Sequence, residues 1–428
     1  MYHDFIGSRP CPPLADKLEQ YSSSETSSNI LRAKQAPIFF ERAKRVEKTT
    51  LPFKMHNTFI RSLELPKMPL WKKIKSSRKL TSFDLEITAR CNNNCRHCYI
   101  NLPEQDKKAK EKELSLKNIK KIIDQAAELG ALWCLITGGE PLLRKDFSDI
   151  YVYLKKKGLL VSVFTNASLI TQEYIDLFKK YPPRDIEVTV YGITRKTYEQ
   201  VTGKPGSFDA FMRGLDFLLK NNIKVGLKAM ALRSNVHELS AIAKFCKERS
   251  SGYFRFDPFL HLRFDGDKRK NSGIISERLS PKEIIAIEIN DTDRFRALKK
   301  ECGNLVKIDS AHTACGHLFY CGAGNKSFTV SYDGFFRLCS SLWHPECVYD
   351  LKKGALLDAW LDLVPKVRGL RSKSQEFLKK CYNCKLINLC MWCPAHAYLE
   401  TGKLDKPVEY FCSIAKARAH SGSVIKND

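Results

Sequence analysis

Residues 91–99 read Cys91-Asn-Asn-Asn-Cys95-Arg-His-Cys98-Tyr99, three thiols in a C-x3-C-x2-C spacing. The run before them, Phe83–Thr88, is of the apolar and β-branched type that makes a buried strand. In a parallel βα array, the loop after a strand lies on the C-terminal face, where active sites collect. Three thiolates there can hold a [4Fe–4S] cluster and leave one iron open to a substrate or cofactor. Two other readings fit the same residues. One is a structural zinc site completed by His97, since Cys3His is a zinc set. The other is three unrelated core cysteines.

Beyond the loop the chain alternates. Strands are expected at Leu132–Thr137, Leu159–Thr165, Ile186–Tyr191, Lys224–Leu232 and Tyr253–Phe259. Amphipathic helices are expected at 115–129, 145–157, 171–180, 207–221 and 235–248. Gly130 and Gly158 follow the first two helices as C-caps do. Such βα alternation implies an α/β fold with a parallel sheet and right-handed crossovers. Six strands suit a partial (β/α)6 barrel better than a closed eight-fold one. Residues 265–280 read as a polar loop and 281–300 as a helix. Ahead of the first strand, 1–80 carry little periodicity, a Ser-rich stretch at 21–29 and a basic run at 71–80.

The second strand ends in Thr137-Gly138-Gly139-Glu140-Pro141. Paired glycines let a backbone approach a ligand closely, and Glu140 offers a carboxylate to an ammonium group. Together with the C-x3-C-x2-C loop, this GGEP resembles the radical S-adenosylmethionine (SAM) superfamily, over roughly residues 82–260. The resemblance implies that Cys91, Cys95 and Cys98 ligate three irons of a [4Fe–4S] cluster whose fourth iron chelates SAM. It implies that Gly138, Gly139 and Glu140 hold the methionine amino group. It further implies reductive cleavage of SAM to a 5′-deoxyadenosyl radical, which abstracts hydrogen from an unactivated carbon. An electron donor such as ferredoxin or flavodoxin would supply the electron. Tyr99, Thr165, Asn166 and Thr189 fall where such enzymes keep cofactor-contacting groups; each fits equally as a strand-end cap or turn residue. Tyr191 and Asp257, near strand ends, are the catalytic candidates.

Cys315, Cys321, Cys339, Cys381, Cys384, Cys390, Cys393 and Cys412 crowd the last third of the chain. A segment that buries little apolar surface needs another staple, and metal is the obvious one. C-x2-C pairs also occur in zinc ribbons. The arrangement resembles the SPASM extension of radical SAM enzymes, which carries two auxiliary [4Fe–4S] clusters. By that resemblance, Cys315, Cys321, Cys339 and Cys393 hold the first, and Cys381, Cys384, Cys390 and Cys412 the second. The family usually places three residues between the last two motif cysteines. Here only Met391 and Trp392 separate Cys390 from Cys393, so Cys393 departs from the pattern. Cys11, Cys134, Cys246, Cys302 and Cys347 remain, and Cys134 and Cys246 read as buried small apolar groups. The expected organisation is an extension at 1–80, a radical SAM partial barrel at 81–300 and a SPASM domain at 301–428.

The chain has 428 residues, 16 cysteines and a formal net charge of +25. Cysteine at that density, without an apolar N-terminal stretch, points to a cytoplasmic protein rather than a disulfide scaffold. No window resembles a membrane span. Residues 1–80 hold 16 basic and 7 acidic side chains, a balance that suits an anionic partner or simple solubility. SPASM enzymes mostly modify peptides, so the resemblance implies a peptide or protein substrate. The stretch Tyr191-Gly192-x5-Tyr198-x3-Thr202-Gly203-x2-Gly206-Ser207-Phe208 resembles a form common in peptide maturases, and also reads as a loop and N-cap. Ser340 stands after Cys339 where sulfatase-maturing relatives carry Asp, which disfavours that activity. The alternatives are an oxidoreductase of small-molecule or cofactor biosynthesis and, remotely, a zinc-stabilised basic protein that binds nucleic acid.

Overall fold

β1 (Ser82–Thr88) alternates buried Phe83, Leu85 and Ile87 with Asp84, Glu86 and Thr88. Side chains two apart share a face of a strand, so one face is apolar and the other polar. A buried apolar face recurs in β2 (Trp133–Gly138), β3 (Leu160–Thr165), β4 (Asp185–Thr189), β5 (Val225–Met230) and β6 (Arg255–Asp257). The opposite face is polar in β1, β4 and β6 and carries Trp133, Leu135 and Phe164 in β2 and β3. These six strands pair in parallel in chain order. They form the partial barrel expected from the sequence. The structure, a computed structural model, describes residues 79–250, 254–296, 298 and 316–421. The extension up to 78, together with Cys11, Tyr253, Cys302 and Cys315, lies outside the described residues.

The apolar strand faces meet the helices. α1 (Leu116–Glu128), α2 (Phe147–Lys156), α3 (Gln172–Lys180), α5 (Ser207–Lys220) and α6 (Leu239–Arg249) bury Ile119, Phe147, Phe178, Phe211 and Ile242 in one core with Leu85, Ile136 and Val163. At about 1.5–3 kcal/mol per buried large side chain, this core is the main favourable contribution of the barrel. Gly130 and Gly158 end α1 and α2 with φ of 95° and 79°. The polar strand faces turn inward. Asp84 and Glu86 on β1, Glu187 on β4, Lys228 on β5 and Arg255 and Asp257 on β6 therefore line the lumen.

Three features differ from the sequence reading. Residues 265–280 are not a plain loop: α7 (Lys268–Ser276) forms there, capped by Asp267, whose side chain accepts from Lys270 N. Only Ile274 of α7 is buried, so no apolar stripe announces it. A further helix, α4 (Arg195–Thr202), starts at Thr194 and ends at Gly203 in the left-handed conformation. The helix expected over 281–300 is broken at Asp291: α8 runs Pro281–Asn290, opened by a Ser280–Glu283 capping box, and helix resumes over 292–296.

The cysteine-rich segment joins the same sheet. β7 (Ser327–Val330) pairs in parallel with β1, from Ser82↔Ser327 to Leu85↔Val330. β8 (Phe335–Arg337) and β9 (Val348–Asp350) continue the sheet antiparallel. The order is β9-β8-β7-β1-β2-β3-β4-β5-β6. α9 (Pro394–Thr401) and α10 (Glu409–Ser421) close the described chain. Arg418 of α10 grips Glu288 of α8 through two bonds of 2.6 and 3.0 Å, both side chains being buried. Among the described residues no helix is long and apolar enough to cross a membrane.

Candidate active site

The loop 91–99 leaves the C-terminal end of β1 and is fastened on both sides. On one side, Glu113 accepts from Thr88 Oγ1 at 2.5 Å and from the Arg90 fork at 2.8 and 3.2 Å. On the other, Asn94 N and Arg96 N donate to the carbonyls of Thr202 and Val201 at 2.7 and 3.3 Å. The stretch 191–208 thus supplies a helix end that holds the loop. A Cβ on Gly203 would stand 2.9 Å from Asn94 O, so the close approach requires glycine.

Cys91, Cys95 and Cys98 are half-buried and near enough to act on one another. Burial first, then the Glu140 charge and Cys98, push the Cys91 thiol to about 12. Burial and the two neighbouring thiols raise Cys95 well above its ordinary value, with Tyr191 opposing. Asn93 N donates to Cys91 Sγ at 3.4 Å, and Asn166 Nδ2 approaches it at 3.9 Å. The His97 ring lies against Tyr191, 5.1 Å between centroids, and its buried Nδ1 has no partner.

Glu140 is fully buried beside this loop. Its Oε1 accepts from Thr165 Oγ1 at 2.7 Å and Leu142 N at 3.1 Å, and its Oε2 from Asn166 N at 2.7 Å. Burial outweighs these bonds and raises its pKa to about 7. Asn166 continues the network to Asn92 Oδ1 at 2.8 Å, and Asn92 donates to Ser168 at 2.8 Å. Thr165, Asn166, Glu140 and Cys91 are therefore one hydrogen-bonded group. The sequence reading missed Asn92 and Ser168, although the Asn-Asn-Asn run inside the cysteine spacing was a visible sign of a polar shell.

The paired glycines meet a steric demand of their own. A Cβ on Gly138 would stand 2.1 Å from Thr88 O, and one on Gly139 2.2 Å from Arg90 O. Their lack of a side chain lets β2 and the residue after it lie against the chain that enters the cysteine loop. Thr189 sits opposite Lys228 in register on the lumen face, outside the Glu140 network. Tyr99 turns away toward His261, 5.1 Å between rings, and His261 stacks on His396 at 4.9 Å. Asp257 is raised by burial, with His396, Arg255 and Arg294 opposing. Tyr191 lies on the thiol side, its ring against His97; Asp257 lies on the histidine side of the lumen, where Lys228 and Arg255 share Glu187 at 2.7 and 2.5 Å.

The C-terminal thiols gather in two groups. Burial and the charges of Cys393 and Cys321 push Cys339 to about 12, so these three face one another. Cys393 opens α9 as its N-cap, its sulfur accepting from His396 N at 3.4 Å. Separately, Cys381 lies near Cys412 and Cys384, and Cys390 near Cys412. The closeness of these two thiols raises Cys390 and lowers Cys412. Cys134, Cys246 and Cys347 are buried away from both groups. Among the described residues no three His, Cys, Asp or Glu side chains close on a single ion. The donor chemistry suits an iron–sulfur cluster at the 91–98 loop: three facing thiols and one coordination position left open.

The profile of the Radical SAM superfamily matches residues 85–246. Fe-coproporphyrin III synthase of Methanosarcina barkeri is 27% identical, over 71% of this chain and 80% of that protein. The crystal structure of Streptococcus suis SuiB bound to precursor peptide SuiA superposes with a TM-score of 0.58 at 16% identity, covering 78% of this chain and 76% of SuiB. Native anSMEcpe with bound AdoMet and Kp18Cys peptide gives 0.55 at 14% identity, covering 80% and 96%. At these identities the likeness to the solved structures establishes a shared fold.

Proposed function

The chain belongs to the radical SAM superfamily, and on that premise we propose that it abstracts hydrogen from a peptide or protein substrate, with Cys91, Cys95 and Cys98 as ligands of the radical-generating cluster. The observation that carries the ligand assignment is the convergence of the three thiols with buried Glu140 at the C-terminal end of the barrel. When bound, a [4Fe–4S] cluster with SAM supplies a 5′-deoxyadenosyl radical. The protein's share is placement. Glu140, locked by Thr165 and Asn166, presents a fixed carboxylate beside Cys91. Tyr191 lies beside Cys95, and the Glu113 and Thr202 anchors hold the loop rigid. Cys321, Cys339 and Cys393, with Cys315, are assigned to one auxiliary cluster, and Cys381, Cys384, Cys390 and Cys412 to another. A one-electron donor of the ferredoxin or flavodoxin type and a cytoplasmic setting belong to the same reading.

The peptide is favoured by the fold shared with SuiB and anSMEcpe, both solved with peptides. A second reading takes an iron porphyrin as substrate or product, favoured by the long matches to the Fe-coproporphyrin III synthase and the AdoMet-dependent heme synthase of M. barkeri. Anaerobic assays with a co-expressed peptide from a neighbouring reading frame, and in parallel with iron-coproporphyrin, separate them by mass spectrometry. A mass change in the peptide alone supports the first reading; conversion of the porphyrin alone replaces it. Cys95→Ala should abolish 5′-deoxyadenosine formation under reduction with dithionite. Undiminished formation removes the ligand assignment.

A further inference from the structure

Arg337 is the largest side chain buried completely among the described residues. It lies on β8, two residues before Cys339, and donates through Nη2 to Glu86 on β1, which is equally buried. Its Nη1 donates to Ser340 O at 2.5 Å. The guanidinium lies 3.8 Å over the Trp343 ring, and Trp343 Nε1 donates to the same Ser340 carbonyl at 3.1 Å. Phe264 stacks on the far face of this arrangement, 3.8 Å from Trp343. The cation is therefore held from three sides against the turn that carries Cys339, with Glu86 behind it.

Structural economy does not account for the pair. A buried ion pair rarely adds net stability over apolar side chains of the same volume. This one is also incompletely satisfied: Arg337 Nε and Glu86 Oε1 have no partner. What the arrangement does provide is a full positive charge, immobile and out of water, next to a thiol that faces two others. Arg337 stands two residues from Cys339, and its Nη1 holds the carbonyl of Ser340, the next residue along.

We propose that Arg337, clamped by Glu86, is the fixed charge that sets the reduction potential of the cluster held by Cys321, Cys339 and Cys393. This rests on the reading that these thiols ligate an auxiliary cluster. Reduction adds one electron, and so one negative charge, to a thiolate-ligated cluster, with no bond made or broken. A cation fixed nearby in a low-dielectric site stabilises the reduced form and raises the potential. Glu86 opposes that effect from farther away while holding the guanidinium in place. Both are positioning residues; neither is assigned a contact with substrate.

The test is an anaerobic redox titration followed by electron paramagnetic resonance on the full chain. Cys339→Ala first identifies the cluster's signal by its loss. Arg337→Gln should retain iron and shift that signal to a more negative potential, and Arg337→Lys should restore most of the wild-type value. Glu86→Gln leaves the cation less compensated and should shift the potential the opposite way. Opposite shifts are a signature that mere loosening of the turn does not produce. Where a single variant does not hold its iron, the double variant Glu86→Gln/Arg337→Gln leaves no unpaired buried charge, and a more negative potential is expected there too. Retained iron with an unchanged potential in Arg337→Gln or the double variant overturns the proposal alone. A wild-type protein with no signal sensitive to Cys339→Ala overturns the ligand reading as well.

Discussion

Single residues in the lumen carry most of the site's electrostatics. Asp84 lies two positions before Glu86 on the polar face of β1, and its Oδ1 has no partner. Burial, then the Glu86 charge, raise its pKa to about 7 from an ordinary value near 3.8. A carboxyl whose folded pKa is raised stabilises the fold below its unfolded pKa, and loses that contribution as pH climbs through the folded one. Asp84→Asn, which cannot ionise, should therefore gain on the wild type between about pH 4 and 7, by about 4 kcal/mol at pH 8. Denaturant unfolding at a series of pH values measures the gap; a gap constant with pH refutes the assignment. Arg337 was a visible oddity in the sequence, a charge between Phe336 and Leu338. Its partner Glu86 was not readable, because 251 positions separate them and no local pattern encodes such a pairing.

Elements were legible in proportion to their periodicity. The six barrel strands and the helices α1, α2, α3, α5 and α6 announced themselves because each has one face buried and one not, whereas α4 did not. α7 carries one buried apolar residue, and the three- and four-residue strands β7–β9 are too short to display a period. The cysteine spacings were legible as chemistry, yet the groups they form required the fold. α9 shows how closely cap and candidate ligand coincide: Cys393 serves both roles on one sulfur. Serine also caps well. Cys393→Ser should thus leave the melting of the metal-free chain within about 1 kcal/mol of wild type while removing the auxiliary-cluster signal. Cys393→Ala should lose both. If the serine variant keeps the signal, Cys393 is a cap only, and the shorter C-x2-C spacing is explained.

For the whole molecule, the three thiol groups predict about 12 irons in a fully loaded chain, four per cluster. Cys384→Ala should lower iron content by about a third while 5′-deoxyadenosine is still formed. Iron unchanged in that variant would dismiss the second auxiliary group. Loading should also release protons, since thiols such as Cys91 and Cys339, raised to about 12 by burial and their neighbours, must give theirs up. The docking of α10 on α8 through Arg418 and Glu288 ties the last candidate ligand, Cys412, to the barrel's flank.

The pairing of β7 with β1 has a consequence for anyone who would rebuild this protein. Hydrogen bonds of Ser82–Leu85 are met on one side by β2 and on the other by Ser327–Val330. A chain cut ahead of β7 would leave β1 as a bare edge, inviting strand addition from a second copy. The cysteine-rich segment is therefore no detachable cassette. A chimera that borrowed it from a relative would have to import the matching β1 face, Glu86 included, so the two parts are free to diverge only together.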